Sequence, residues 1–193
     1  MTDILDPSRA RRLRALTSQV HQELDDAIMA AASFDSLAGY GRFAAMQYRF
    51  HRDIAPLYAD PALAAVLPGL PDRAALALVA ADLADLGESP PPEAAPVFAG
   101  EIDLPTALGW LYVAEGSRMG AALLRKEAAK LGLSDAHGAR HLAPAPEGPA
   151  AHWRAFTAAL DAPELTAAEE ERVVAGARAA FARVRGHAEA AFA

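Results

Sequence analysis

The chain has 193 residues, 53% of them hydrophobic and 22% charged, enough apolar material for one sizeable core and too much for wholesale disorder. It contains no cysteine, so disulfides, zinc–thiolate sites, iron–sulfur clusters and cysteine nucleophiles are excluded together. With 25 acids against 18 Lys plus Arg, the net charge of −7 is not the footprint of a general nucleic-acid or anionic-membrane binder. The opening MTDILDPSRARR places acids where a signal peptide carries positive charge. No stretch reaches the roughly 18 uninterrupted apolar residues of a spanning helix. A soluble, cytoplasmic protein is expected, and the lack of cysteine suits a reducing compartment.

Alanine, the best helix former, supplies much of the hydrophobic fraction, while Val, Ile and Thr are thin and no segment alternates at period 2. The expectation is an all-α protein, one domain over residues 1–193, built of mostly antiparallel helices. A first helix is predicted over about 7–31, with Asp6 as cap and Pro7 at its first position. A second spans about 36–58, bent or ended near Pro56. A turn around 61–67 precedes a helix over about 71–86, and GESPPP breaks the chain at 87–92. A long helix follows from the Asp103 cap to Leu131, closed by Gly132. After a Pro/Gly/His loop at 134–149 come a helix over about 149–160 and a last one beginning after Thr166, whose Glu169 completes a capping box.

The long helix is the most informative segment. Advancing about 100° per residue, Gly109, Gly116 and Gly120 fall on one stripe with Val113. Each interior glycine costs about 1 kcal/mol relative to alanine, so three amount to roughly 3 kcal/mol in a chain that uses alanine freely. Something needs that face bare. Close helix–helix packing is one reading; a flat ligand lying on exposed backbone, with Gly116 and Ser117 letting the helix bend, is the other.

The first helix carries LRALTSQVHQELDD, with Leu13, Leu16, Val20, Leu24 and Ala27 as its expected core stripe. His21 lies about 90° from that stripe, on an edge shared with Thr17 and Ile28. From there an imidazole can enter a pocket, and Asp25 one turn on can accept its second ring N–H, as partners of metal-bound histidines do. A packed or solvated histidine is the plainer reading, and His51 is an equally available candidate. His137, His141 and His152 fall in or beside a loop, and His187 near the C-terminus. Arg9, Arg11, Arg12 and Arg14 crowd the first turns, where cations oppose the helix dipole. Most of them read as a solvated face, with one or two available to bind ligand carboxylates through the guanidinium fork. An imidazole, a side-chain-free helix and cations at the rim together suit a flat, iron-bearing, doubly carboxylated ligand, namely haem.

The blocks LRALTSQVHQELDD, YGRFAAMQYRFHRDIAPLY and LGWLYVAEGSRMGAALLRKEAAKLGL, with the later GARHLAPAP and HWRAF, resemble the bacterial biliverdin-producing haem oxygenases over nearly the whole chain. The resemblance implies an all-α fold that sandwiches haem between a proximal and a distal helix. It makes His21 the axial iron ligand, with Asp25 as its acidic partner, and sets Gly116 and Gly120 against the haem face. Ser117 stands where mammalian relatives have a water-organising aspartate, so waters held by backbone and Ser117 take that part. Arg14 replaces the usual lysine at a propionate, and Tyr112 stands where bacterial members place an aromatic near the propionates. Thr17 and Val113 complete the expected contacts. Ala121 follows Gly120 where mammalian forms have a further glycine.

The implied reaction is oxidative cleavage at a meso carbon, giving biliverdin, carbon monoxide and ferrous iron. Haem serves as both substrate and oxygen-activating cofactor. Electrons come from an external donor such as a ferredoxin or a reductase, because no nucleotide-binding fingerprint is present. A haem carrier without turnover and a helical scaffold that uses its glycines for packing are the alternatives. A di-iron enzyme lacks the paired Glu-x-x-His ligands it would need.

Overall fold

The structure, a computed structural model, describes residues 8–31, 34–95 and 97–192. Seven α-helices occur among them: α1 (Arg9–Ala30), α2 (Leu37–Ala59), α3 (Pro61–Val66), α4 (Leu76–Asp85), α5 (Leu104–Lys130), α6 (Pro149–Asp161) and α7 (Ala167–Phe192). Single 3-10 turns sit at Pro71–Arg73 and Arg140–Leu142. The described residues form no strand, so the all-α expectation holds. No helix among them is long and apolar enough to cross a membrane.

Local side-chain chemistry explains most boundaries. Ser36 caps α2 by accepting from the Gly39 amide at 3.0 Å, and Asp103 caps α5 by accepting from the Thr106 amide at 3.0 Å. At the far end of α5, Gly132 takes a positive φ of 82° and Leu133 N–H returns to the Ala128 carbonyl at 3.2 Å. The Thr166–Glu169 box forms reciprocally before α7. The expected Asp6 cap and Pro7 lie outside the described residues; Ser8 caps α1 instead, accepting from Arg11 N–H.

Three expectations need correction. α2 runs through Pro56 to Ala59, because the proline sits one turn from the end and forfeits only one backbone bond. The segment Pro61–Val66 is a helix rather than a turn, its N-terminus held by Asp60 Oδ1 accepting from Leu63 N–H at 2.8 Å. The helix expected over 71–86 is divided into the first 3-10 turn and α4.

α5 and α7 form the spine, and their contact is backbone to backbone. A Cβ on Gly109 would lie 2.1 Å from the Val173 carbonyl oxygen, and one on Gly176 2.4 Å from that of Thr106. Gly109 therefore belongs to helix packing and leaves the ligand-facing stripe. Gly109→Ala is expected to destabilise the protein by about 1–3 kcal/mol through overpacking, despite alanine's better helix propensity. A thermal melt checks this.

α1 packs on α7 and α6. Its buried stripe is Ala10, Leu13, Thr17 and Leu24, whereas Leu16, expected inside, is 45% exposed, and Ala27 is also exposed. The stripe is thus turned roughly 40° toward His21. Arg9, expected on a solvated face, is buried: it pairs with Glu170 of α7 at 2.8 Å and donates to the carbonyls of Leu160 and Pro163. Arg12 joins the same Glu170.

Two buried aspartates stitch the rest. Asp53 of α2 accepts from Arg183 Nε and His187 Nε2 of α7, each at 2.6 Å. Asp82 of α4 accepts from His141 Nδ1 at 2.7 Å and from the Arg140 and His141 amides. Burial alone would raise both carboxyls, but these hydrogen bonds to the charged form outweigh it and hold both below the usual 3.8. A depressed carboxyl stabilises the fold above its unfolded value, and that contribution disappears as pH falls through the folded value. Melting temperature is therefore expected to drop steeply below about pH 4. Asp82→Asn should lower it at pH 7 and flatten that acid limb.

Candidate functional site

The character of α5 changes at one point. Residues 107–115 are all buried; Gly116 is half-buried, and Ser117 and Gly120 are exposed. Met119 and Leu123 are 45% and 59% exposed; around the helix Met119 lies about 60° from Gly116, and Leu123 within about 60° of both glycines. A Cβ on Gly120 would meet nothing within 4 Å, and one on Gly116 only the rim of the Trp153 indole, at 3.7 Å. Unlike Gly109, these two glycines are not spent on packing. They leave bare main chain beside an apolar strip.

The Tyr112 hydroxyl of α5 lies close to Thr17 of α1, whose own hydroxyl donates to the Leu13 carbonyl at 2.8 Å. Burial raises the Tyr112 hydroxyl above its ordinary value, while the Thr17 hydrogen bond and the Arg14 charge pull the other way. Arg14, Thr17 and Tyr112 are thus brought together at one end. From that point His21 and Asp25 follow on α1, and Gly116, Ser117 and Gly120 on α5. Further along, Ile28 of α1 and Ala121 and Leu124 of α5 pack on a common apolar cluster with Phe43 and Leu83. Val113 is buried at the base of this region, within the main core.

The His21 ring is 58% exposed, with Nε2 3.5 Å from Asp25 Oδ2, leaving its other nitrogen available. One side of it rests on Phe181 of α7, with ring centroids 5.6 Å apart. The other five histidines are differently placed. His51 is buried, and burial drives its pKa down to about 3, so it is neutral throughout the physiological range. His141 and His187 bind the buried aspartates; His152 lies between Glu115 and Glu147. His137 stands 3.4 Å from Asp85, at the far end of the fold.

Ser117 is less free than the sequence suggests. Its hydroxyl donates to the Ala114 carbonyl at 2.7 Å, so toward the opening it offers lone pairs only. Arg9 and Arg12 are engaged by Glu170, which leaves Arg14 as the cation placed beside Tyr112.

Sequence reasoning missed Phe181, Trp153 and the anchorage of α5. Trp153 of α6 lies against Gly116, stacks on Phe156 and is tilted against Tyr112. Glu115, fully buried, accepts from Tyr58 and Arg73 at 2.8 Å each and faces His152 Nε2 at 3.2 Å. The HWRAF block marked the α6 contribution without its direction, and Phe181 sits in no motif. A larger concavity of about 900 Å³ opens on the opposite side of α1, between Leu16 and the start of α7. It contains no imidazole and lies away from the glycine face.

The chain matches the family model described as heme oxygenase over residues 8–188. It is 44% identical over 185 residues to a Pseudomonas aeruginosa protein called heme oxygenase PigA, covering 96% of this chain and 93% of that one. A structure of NO- and CO-bound heme oxygenase from Neisseria meningitidis superposes with a TM-score of 0.91 at 41% identity, over 97% of this chain and 93% of that one. Heme oxygenase from Leptospira interrogans, at 17% identity and a TM-score of 0.75 over 95% of this chain and 100% of that one, shares the fold.

Proposed function

The chain belongs to the haem oxygenase family, and we propose that it degrades haem between α1 and α5, with His21 as the axial ligand of the iron. Haem is the substrate and O2 the oxidant; cleavage at a meso carbon yields biliverdin, carbon monoxide and ferrous iron. When bound, haem supplies both the iron that activates O2 and the carbon that is oxidised.

The residues fit such a group. A planar macrocycle needs an imidazole on one side and a face without side chains on the other; in this reading His21 supplies the first and the bare backbone of Gly116 and Gly120 the second. Asp25, with a carboxylate oxygen 3.5 Å from Nε2, is placed to orient the ring, and Phe181 lies against one side of it. A neutral imidazole lacks the thiolate push that favours O–O cleavage. On the α5 side no acidic side chain reaches the opening: Glu115 is turned into the core, and Ser117 gives its proton to Ala114. Water held by backbone groups and the Ser117 lone pairs therefore carries protons there. Met119, Leu123 and Val113 supply apolar contact, while Arg14 takes a propionate at the open end beside Tyr112; Thr17 is buried there, its hydroxyl donating to the Leu13 carbonyl at 2.8 Å, and backs Tyr112 without reaching the ligand. Electrons come from an external donor such as a ferredoxin or reductase, and the setting is the cytoplasm.

One observation carries this reading: at Gly120 the helix presents main chain to open space, where packing demands no glycine. Titration with haem, followed by ascorbate-driven turnover under O2, tests it. A Soret band that decays through verdoheme to biliverdin is expected. A stable Soret band without those products would mean a carrier, and no specific Soret shift would mean a scaffold.

A further inference from the structure

The bare stretch of α5 begins one residue after its strongest anchor. Glu115 is fully buried in side chain and accepts from Tyr58 at the end of α2 and from Arg73 of the first 3-10 turn; Arg73 also reaches His152 of α6, at 2.8 Å from its Nε2 and 3.3 Å from its carbonyl, and that Nε2 lies 3.2 Å from the Glu115 carboxylate. Arg118, one turn on, donates to the Arg73 carbonyl, so the same 3-10 turn grips α5 twice. His152 is held from its other side by Glu147, Nδ1 to Oε1 at 2.7 Å. The neighbour of His152 is Trp153, whose indole rim lies where a Gly116 side chain would point. The cluster therefore fixes two things at once: where α5 leaves the core, and how far the α6 indole advances toward Gly116.

A carboxylate buried with one guanidinium and two further hydrogen-bonding groups is costly to desolvate and is seldom retained for stability alone. Its energetic weight is in geometry, because every alternative placement of the helix leaves the charge unpaired.

We propose that Glu115 is a positioning residue for haem oxidation: it sets the height and tilt of the Gly116–Gly120 backbone above the haem, and so the room left on that face of the iron. This rests on the haem-degrading assignment above and adds to it a residue that touches neither haem nor iron.

Four variants test it: Glu115→Gln, Tyr58→Phe, Arg73→Lys and, as a buried control that packs against Gly109 instead of the exposed part of α5, Val173→Ala. Haem-free protein is read first, by amide exchange at residues 116–121. Exchange there is expected to quicken about tenfold in Glu115→Gln and less in Tyr58→Phe, with no such change in Val173→Ala. In haem-loaded protein, azide affinity is expected to move at least fivefold and the proportions of biliverdin isomers to change, while haem affinity stays within about threefold. Arg73→Lys keeps a cation at the carboxylate and should restore both readouts most of the way.

Should Glu115→Gln fail to fold, Tyr58→Phe removes a single bond and decides the matter alone. Amide exchange, azide affinity and isomer ratio all tracking melting temperature, equally in Val173→Ala and the anchor variants, would overturn the proposal. If wild-type protein takes up no haem, the functional assignment itself falls, and the amide-exchange comparison still stands by itself.

Discussion

His21→Ala is expected to abolish productive haem ligation while leaving the helical protein intact. The ring is more than half exposed, with Phe181 and Asp25 beside it, so truncating it costs the fold little, within about 0.5 kcal/mol as for other surface changes. The iron loses far more. Altering a partner of a metal-bound histidine typically costs 10–100-fold, so removing the ligand should lower turnover by about 100-fold or more. Far-ultraviolet circular dichroism and a melt should match the parent, while the Soret band shifts and loses its histidine-ligated form. Added imidazole should restore part of it. No other histidine can substitute: three are bound to buried acids, one is buried and neutral, and one is held near Asp85 at the far end of the fold. Turnover at the parent's rate without added imidazole would remove His21 from the mechanism.

Gly120→Leu is expected to act in opposite directions on the two states of the protein. Without haem, leucine at an exposed helical position should stabilise by up to about 1 kcal/mol, because glycine is the poorer helix former and its Cβ position is open. With haem, the isobutyl group occupies space assigned to the macrocycle. Affinity should fall at least tenfold, about 1.4 kcal/mol. A higher melting temperature together with a weaker Soret titration is a signature that a general packing defect cannot produce. Unchanged haem affinity and product would count against the glycine-face assignment.

The parts of this fold legible from sequence are those decided within a few residues. The Asp103 cap, the Gly132 stop and the Thr166–Glu169 box each satisfy backbone groups one turn away, so their signatures hold wherever the helix is packed. Pro61–Val66 used the same Asp–Pro signature and was legible in principle, but its short length reads equally as a turn. Arg9 was not legible. Four arginines at a helix start resemble a solvated face, and only the arrival of Glu170, 161 residues later, makes one of them a buried tie. The glycines mark the limit most clearly. Gly109, Gly116 and Gly120 share one periodicity, and nothing local separates the one pressed on Val173 from Gly116, which faces the Trp153 rim, and Gly120, which faces open space. Spacing made His21 and Asp25 one candidate pair, with His51 equally available, and only the family resemblance chose between them, whereas Phe181, which lies against the His21 ring, comes from a helix with no motif around it.

That division among the glycines bears on how the protein tolerates change over generations. In a library randomised at positions 109, 116, 120 and 176, survival of heat alone should return glycine at 109 and 176 and release 116 and 120 to alanine and larger residues. A requirement for haem consumption should bring glycine back at the latter two. One helix would then carry two independent records of selection, written in the same amino acid.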